Sequence, residues 1–425
     1  MIAIVVLIAE LSLLTVIKAI GIAINDIHAS LLILAFSAAF LATVQRNRRL
    51  RIYKTQILLG YILRIAILYF DLYGNRIYVL PNSGADADMF YYGAVRYMNY
   101  GGFTRTLFPL VMGTLFRIIG SNRLFGQFLV TLLSVISLCL LVYSLDELEI
   151  SRERSVKVIG IAALLPNLAI LSSIFLRESI VAVFVTFSVY CFVLWSNRAK
   201  ERYFILALLF VLPAAIFHSG TAGMIPGYLA IRFVYDKKAK ALRIRFVNII
   251  AAIVLAIGIG YLLINYSEFL LSKFGRIDSI DDIANTNDSA KSSYVQYVGD
   301  SNSVGNIVIY TIPRIVYFLY SPFPWQWRGI NDIIAFFFSS AFYIVATWSM
   351  IRCLLDKNNR QRPIVMMFAV LAATTLFVFG WGISNSGTAA RHREKLAMLF
   401  AIIWALSSEG KSSKFHIRAG NTRIF

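Results

Sequence analysis

Apolar stretches long enough to cross a bilayer alternate along this chain with short basic connectors. Windows of about 17–25 residues almost free of charge recur throughout, the length an α-helix needs to span the hydrocarbon. The pattern predicts helices near 3–24, 28–44, 56–74, 123–145, 157–174, 179–195, 203–217, 219–235, 246–265, 332–353, 363–382 and 396–408. That is about twelve crossings, in an all-α polytopic integral membrane fold. The opening "MIAIVVLIAELSLLTVIKAIGIAI" has no basic n-region and no small-residue cleavage site, so it reads as a first membrane helix rather than a removed signal.

The connectors set the expected orientation. "QRNRRLRIYK" (45–54), "EISRERSVK" (149–157), "SNRAKER" (196–202), "DKKAKALRIR" (236–245), "RCLLDKNNRQR" (352–362) and the tail "KSSKFHIRAGNTRIF" are basic. The positive-inside rule assigns all of them to the cytoplasm. One threading satisfies them together, with both termini inside, a single helical domain over 1–410, external loops at 75–122 and 267–331, and a basic cytoplasmic tail at 411–425. Two apolar, proline-containing stretches are left over, 106–120 and 306–325. They are expected to be re-entrant or surface-lying helices, tolerated at membrane depth only where protein covers them or they line a wet cavity.

Composition agrees with this. Of 425 residues, 59% are hydrophobic and only 15% charged, which excludes an ordinary soluble domain. The net charge of +19 sits mostly in the connectors, so it argues for membrane orientation and against nucleic acid. Cys139, Cys191 and Cys353 lie in or at the end of apolar segments without paired spacing, which speaks against disulfides and a cysteine metal site. No cofactor is called for, and no metal set stands out.

With this threading the unusual polar residues gather on the external side. "PNSGADADMFYYGAVRYMNYGG" places Asp86 and Asp88 at the opening of a short helix, with Ser83 as a candidate cap. Asp88, Tyr92 and Arg96 share a helical face; helix capping and a solvated face explain the same spacing. In "IFLRESI", Arg177 and Glu178 are the only charges between Val158 and Trp195. Such a pair either stops two helices from sinking or belongs to a site, since ionisable residues at membrane depth tend to be functional. His218 follows an apolar helix directly, either as a structural residue or as a proton carrier. Arg314 lies inside an apolar segment, and Trp325 and Trp327 suit an interfacial belt. The run Arg391, His392, Arg393, Glu394, Lys395 would break the positive-inside rule. Arg391 and Arg393 are expected at a helix start, where backbone N–H groups and guanidinium forks suit a phosphate or pyrophosphate; a solvated loop is the alternative.

That set suits glycosyl transfer from a polyprenyl-linked donor, where cations stabilise the leaving phosphate and an acid or histidine takes the acceptor's proton. The stretch from "ADADMFYYGAVRY" to "LCLLVYSL", together with "LPNLAILSSIFLRESIVAVFVTFSVYCFVLW", resembles C-type membrane glycosyltransferases. "YFLYSPFPW" and "GTAARHREKLAMLF" resemble segments of bacterial O-antigen or exopolysaccharide repeat-unit polymerases. The resemblance implies a bacterial inner-membrane enzyme acting on a lipid-linked oligosaccharide (a polyprenyl pyrophosphate) at the external face, in contact with membrane lipids and with other polysaccharide assembly proteins. By carry-over, Asp86 or Asp88 takes the place of the catalytic acid, with Glu178 and His218 as further candidates. Arg391, Arg393, Arg314 and Arg177 would hold phosphate, and Tyr92, Arg96 and Trp325 would contact substrate. The acidic motif is "DAD" rather than an adjacent pair, and no large external domain follows, which favours a polymerase over a protein glycosyltransferase. A transferase adding one sugar from a polyprenyl monophosphate, and a transporter of lipid-linked oligosaccharides, stay open beside it; for the transporter, paired broken helices or an internal repeat would be the sign, and no repeat is seen.

Overall fold

The computed structural model describes residues 8, 10, 12, 24–102, 104, 106–236, 241–242, 293–294, 298 and 304–409. The helix expected at 246–265, most of that at 3–24, most of the loop at 267–303 and the tail from 411 lie outside the described residues. The described chain is all-helical apart from a two-residue antiparallel ladder, Tyr235–Asp236 against Ala241–Leu242.

In chain order the principal helices are α1 (Ile24–Arg46), α2 (Lys54–Tyr73), α3 (Ala85–Tyr100), α4 (Leu107–Ile119), α5 (Arg123–Glu147), α6 (Arg152–Leu164), α7 (Pro166–Leu171) and α8 (Glu178–Arg198). They continue with α9 (Glu201–Phe217), α10 (Met224–Val234), α11 (Val304–Tyr320), α12 (Ile330–Leu355), α13 (Arg362–Gly382), α14 (Ser386–Arg393) and α15 (Ala397–Ser407). Among the described residues six, α1, α2, α5, α8, α12 and α13, are long and apolar enough to cross a membrane.

Several expected crossings take a different form. The helix expected at 157–174 breaks into α6 and α7, because Pro166 has no N–H to continue the ladder and holds Leu165 extended (φ −54°, ψ 117°). The helix expected at 219–235 starts with a 3₁₀ turn, Ser219–Gly223, before α10. α15 has 11 residues, about 16 Å at the helical rise. The two leftover stretches form α4 and the bulk of α11. α4 buries Phe108, Met112 and Phe116 while Val111 and Ile118 stay exposed.

α15 is the hub. It packs against α5, α6, α8, α12 and α13, and its "AMLFAIIWALS" is apolar on every face, as a helix surrounded by others must be. A buried arginine ties the first half of the chain together. Arg64, at the middle of α2 and 0% exposed, donates from Nε to the hydroxyls of Ser134 (3.1 Å) and Ser172 (3.0 Å). Its Nη1 donates to the carbonyls of Gly60 (3.0 Å) and Ala163 (2.7 Å). One guanidinium thus joins α2, α5, α6 and the turn after α7. Near the end of α2, Asp71 accepts from Gln127 Nε2 (2.9 Å). At the start of α5 the Asn122 side chain accepts from Phe125 N–H (2.9 Å) and donates to Asp26 of α1 (2.9 Å).

α10 and α13 approach closely through glycine. A Cβ on Gly227 would lie 2.5 Å from Thr374 Oγ1 and 3.1 Å from the Leu371 Cα. Gly227→Ala is therefore expected to destabilise the protein by about 1–3 kcal/mol, the cost of overpacking. Thermal unfolding in detergent should show the loss, and adding Thr374→Ala should recover part of it.

Candidate functional site

Three separate parts of the chain converge on Arg391: the start of α3, the turn before α8, and α14. The turn between α7 and α8 ends at Arg177, so Glu178 enters α8 as its first residue and is 4% exposed. Asp86 sits in the first turn of α3 and its side chain is 53% exposed. Ser83 does not cap that helix; Gly84 precedes it at φ 119°, a left-handed conformation open to glycine, and no side chain caps the start.

Arg391 and Arg393 do not stand at a helix start. The Asn385 side chain accepts from Gly387 and Thr388 N–H and so begins α14 at Ser386, which places both arginines in the last turn. The backbone runs on through a 3₁₀ turn, Glu394–Leu396, into α15. Free N–H groups are therefore not what the arginines offer an anion. Their guanidinium groups are.

Those two guanidinium groups have different fates. Arg391 donates from Nε to Glu178 Oε1 (2.7 Å) and from Nη1 to Asp86 Oδ2. Arg393 is 0% exposed and points the other way, donating to Ser339 Oγ (3.1 Å) and to the carbonyls of Leu319 and Ser321. It braces α11 and α12 against α14, outside the cluster.

Around the Arg391 bridge stand Arg177, Lys395, His218 and His392. The Lys395 ammonium is wholly buried, meets His392 Nδ1 and lies 3.6 Å from Glu178. Burial pushes it down to about 7, with Glu178 opposing that shift. The rings of His218 and His392 are 4.3 Å apart between centroids, and Phe379 stacks on His218 at 5.3 Å. Burial, then the neighbouring Lys395, depresses the pKa of both histidines well below the ordinary value, so they are neutral at pH 7. Arg177 lies over the Phe90 ring at 5.9 Å, and Glu178, Arg391 and Asp86 all act on its charge. Three basic side chains (Arg177, Arg391, Lys395) therefore face two carboxylates (Asp86, Glu178), and Lys395, pushed down to about 7, is only partly charged at neutral pH.

The remaining expected residues lie apart. Asp88 pairs with Arg123 (2.6 Å) instead of working with Tyr92 and Arg96. Tyr92 is 66% exposed beside Tyr91. Arg314 is buried over the Trp381 ring at 4.3 Å, and Trp325 is exposed and stacked on Phe323 at 4.8 Å. Arg96 takes no part in the Arg391 cluster among the described ion pairs. His392 and Lys395 complete the cluster without having been singled out from sequence. Their signal was the i, i+3 spacing of His392 and Lys395 and the i, i+4 spacing of Arg391 and Lys395, hidden in a run that reads as plain charge. Among the described residues no group of three His, Cys, Asp or Glu side chains could hold a metal ion. Comparison with family models, with curated proteins and with solved structures finds no match for this chain.

The two carboxylates on Arg391 are not equivalent. Removing one partner of a buried pair costs about 3–5 kcal/mol, whereas exposed pairs contribute about 1 kcal/mol or less. Glu178→Ala should lower thermal stability strongly and Asp86→Ala slightly; equal losses would show that the exposed acid anchors the arginine as firmly.

The histidines give a pH signature. Their folded pKa values lie below the unfolded value of about 6.5, so the unfolded chain binds more protons as the pH falls. Lys395, Arg177 and Arg391 face the pair and disfavour its charging. Stability should therefore fall as pH drops below about 6.5, by at most about tenfold in the unfolding constant per pH unit for each histidine. His392→Gln should flatten the dependence in a pH series of unfolding curves.

Proposed function

We propose that the protein is a membrane glycosyltransferase acting on polyprenyl-pyrophosphate-linked glycans at the external face, most plainly a polymerase of polysaccharide repeat units. The observation that carries the reading is Arg391 held between a buried carboxylate and an exposed one, with Arg177 and Lys395 beside it. In this proposal the chain crosses the membrane about twelve times, both termini face the cytoplasm of a bacterial cell, and the cluster opens outward.

The arrangement suits a diphosphate. Glu178 keeps Arg391 in place, while Asp86, on the exposed side, is the partner an incoming phosphate can displace. A guanidinium fork takes two phosphate oxygens at once, and an arriving phosphate would favour the charged form of Lys395 beside it. Displaced Asp86 is then free to accept the proton of the acceptor sugar hydroxyl. The hydroxyl oxygen forms the new bond to the anomeric carbon as the bond from that carbon to the diphosphate oxygen breaks. The electron pair leaves with the diphosphate, where Arg391, Arg177 and Lys395 stabilise it. Neutral His218 and His392 line the same cluster and can donate hydrogen bonds without adding charge.

A transporter of lipid-linked oligosaccharides is the second reading. It is favoured by polar groups inside the helical core, namely Arg64 and the Glu10–Tyr61–Ser37 hydrogen-bonded group.

The test is chain extension of a lipid-linked oligosaccharide by the protein in nanodiscs. Arg391→Ala should lower the rate by about 10²–10³-fold, the scale of losing a charge-stabilising donor. Asp86→Asn should lower kcat with little change in KM, while Asp88→Asn should leave the rate near wild type. Wild-type protein that moves the glycan across a vesicle without extending it would establish the transporter instead.

A further inference from the structure

Beside Glu178, the anchor of the Arg391 bridge, lies a small, partly open pocket that the proposed reaction does not use. Its lining includes Glu178, Ser179, Glu394, Lys395, Ser134 and Ser172, and its volume is about 20 Å³. That is room for one water molecule. Three buried polar atoms of its lining have no partner in the protein: Glu178 Oε2, Ser179 Oγ and Glu394 Oε2. Glu178, Ser179 and Glu394 are 4%, 2% and 3% exposed. Buried polar groups are almost always satisfied, and a water needs two to four such partners. A metal cation is a poor occupant, because Lys395 lines the same space with Arg391 and Arg177 close behind it.

We propose that this cavity is a water site, and that the water joins Glu394 to Glu178 so that Glu394 positions the carboxylate on which Arg391 is anchored. Glu178 spends Oε1 on Arg391 and Lys395, and Oε2 is left facing inward for the water. Glu394 is held in turn by Ser339, which donates to its Oε1. The charged and polar groups facing Glu394 are Arg393 from α14, Ser339 from α12, and Glu178 and Lys395 across the cavity. Among the described residues no cation pairs with Glu394, and burial raises its pKa above the ordinary carboxylate range. In the proposed arrangement a protonated Glu394 donates through Oε2 to the water, which donates to Glu178 and accepts from Ser179. One water satisfies the three orphaned atoms.

The site stands without the glycosyl-transfer reading, and the experiment keeps the two apart. Infrared spectra of the full chain in nanodiscs should show a protonated-carboxyl carbonyl band that shifts in D₂O, vanishes in Glu394→Gln and moves in Ser179→Ala. A Glu394→Gln spectrum identical to wild type in that region would overturn the proposal. Inorganic pyrophosphate, followed by thermal shift, then reads the positioning role. Glu394→Gln, which can still donate, should bind within about twofold of wild type, and Glu394→Ala about tenfold more weakly. Wild-type affinity in Glu394→Ala would overturn the positioning role. If wild type itself does not bind pyrophosphate, the phosphate reading falls and the infrared result still decides the water site.

Discussion

Everything at the candidate site depends on one constraint: a buried carboxylate at the first residue of a membrane helix must keep a cation. Glu178 cannot be left unpaired at 4% exposure without a cost of several kcal/mol, so α14 and the turn after it must bring Arg391 and Lys395 to it. That requirement joins the middle of the chain to its C-terminal part across more than two hundred residues. It also leaves Arg391 one free side, which Asp86 covers from α3. The firm partner lies inside and the loose partner outside, so the pair is asymmetric by burial alone.

The same asymmetry explains why so many charges sit together just before the most apolar of the described helices. α15 is surrounded by five helices, and its entry turn must bury whatever residues occupy it. Glu394 and Lys395 occupy that turn, and both are enclosed. Lys395 answers to Glu178, while Arg393 answers to backbone carbonyls left open around Ser321. Each member of the run from Arg391 to Lys395 thus has a different environment, although in the primary structure they are neighbours.

Hydropathy made the all-helical architecture legible, and six of the described helices have the length and apolarity to cross a membrane, because a bilayer sets the length such a helix needs. It did not reveal where helices break, since Pro166 and the turn at Ser219 act locally inside windows that average as apolar. The importance of Arg391, Glu178 and Asp86 could be read from charge placed against an apolar background. The exclusion of Arg393 could not, because two residues along a helix turn a side chain by about 200° and only the packing shows what it then meets. His392 and Lys395 stayed hidden for the same reason. Arg64 was invisible as a core residue because one arginine in an apolar helix has no pattern; its partners are two serines and one carbonyl from distant segments and one carbonyl of its own helix.

Those partners give the break at Pro166 a second meaning. In an unbroken helix the carbonyl of Ala163 would belong to the N–H four residues on; ending α6 at Leu164 leaves it available, and Arg64 Nη1 takes it at 2.7 Å. The proline and the arginine are therefore one feature distributed over two helices. A sequence that mended the helix would take one of the guanidinium's four acceptors, and one that lost the arginine would strand a carbonyl.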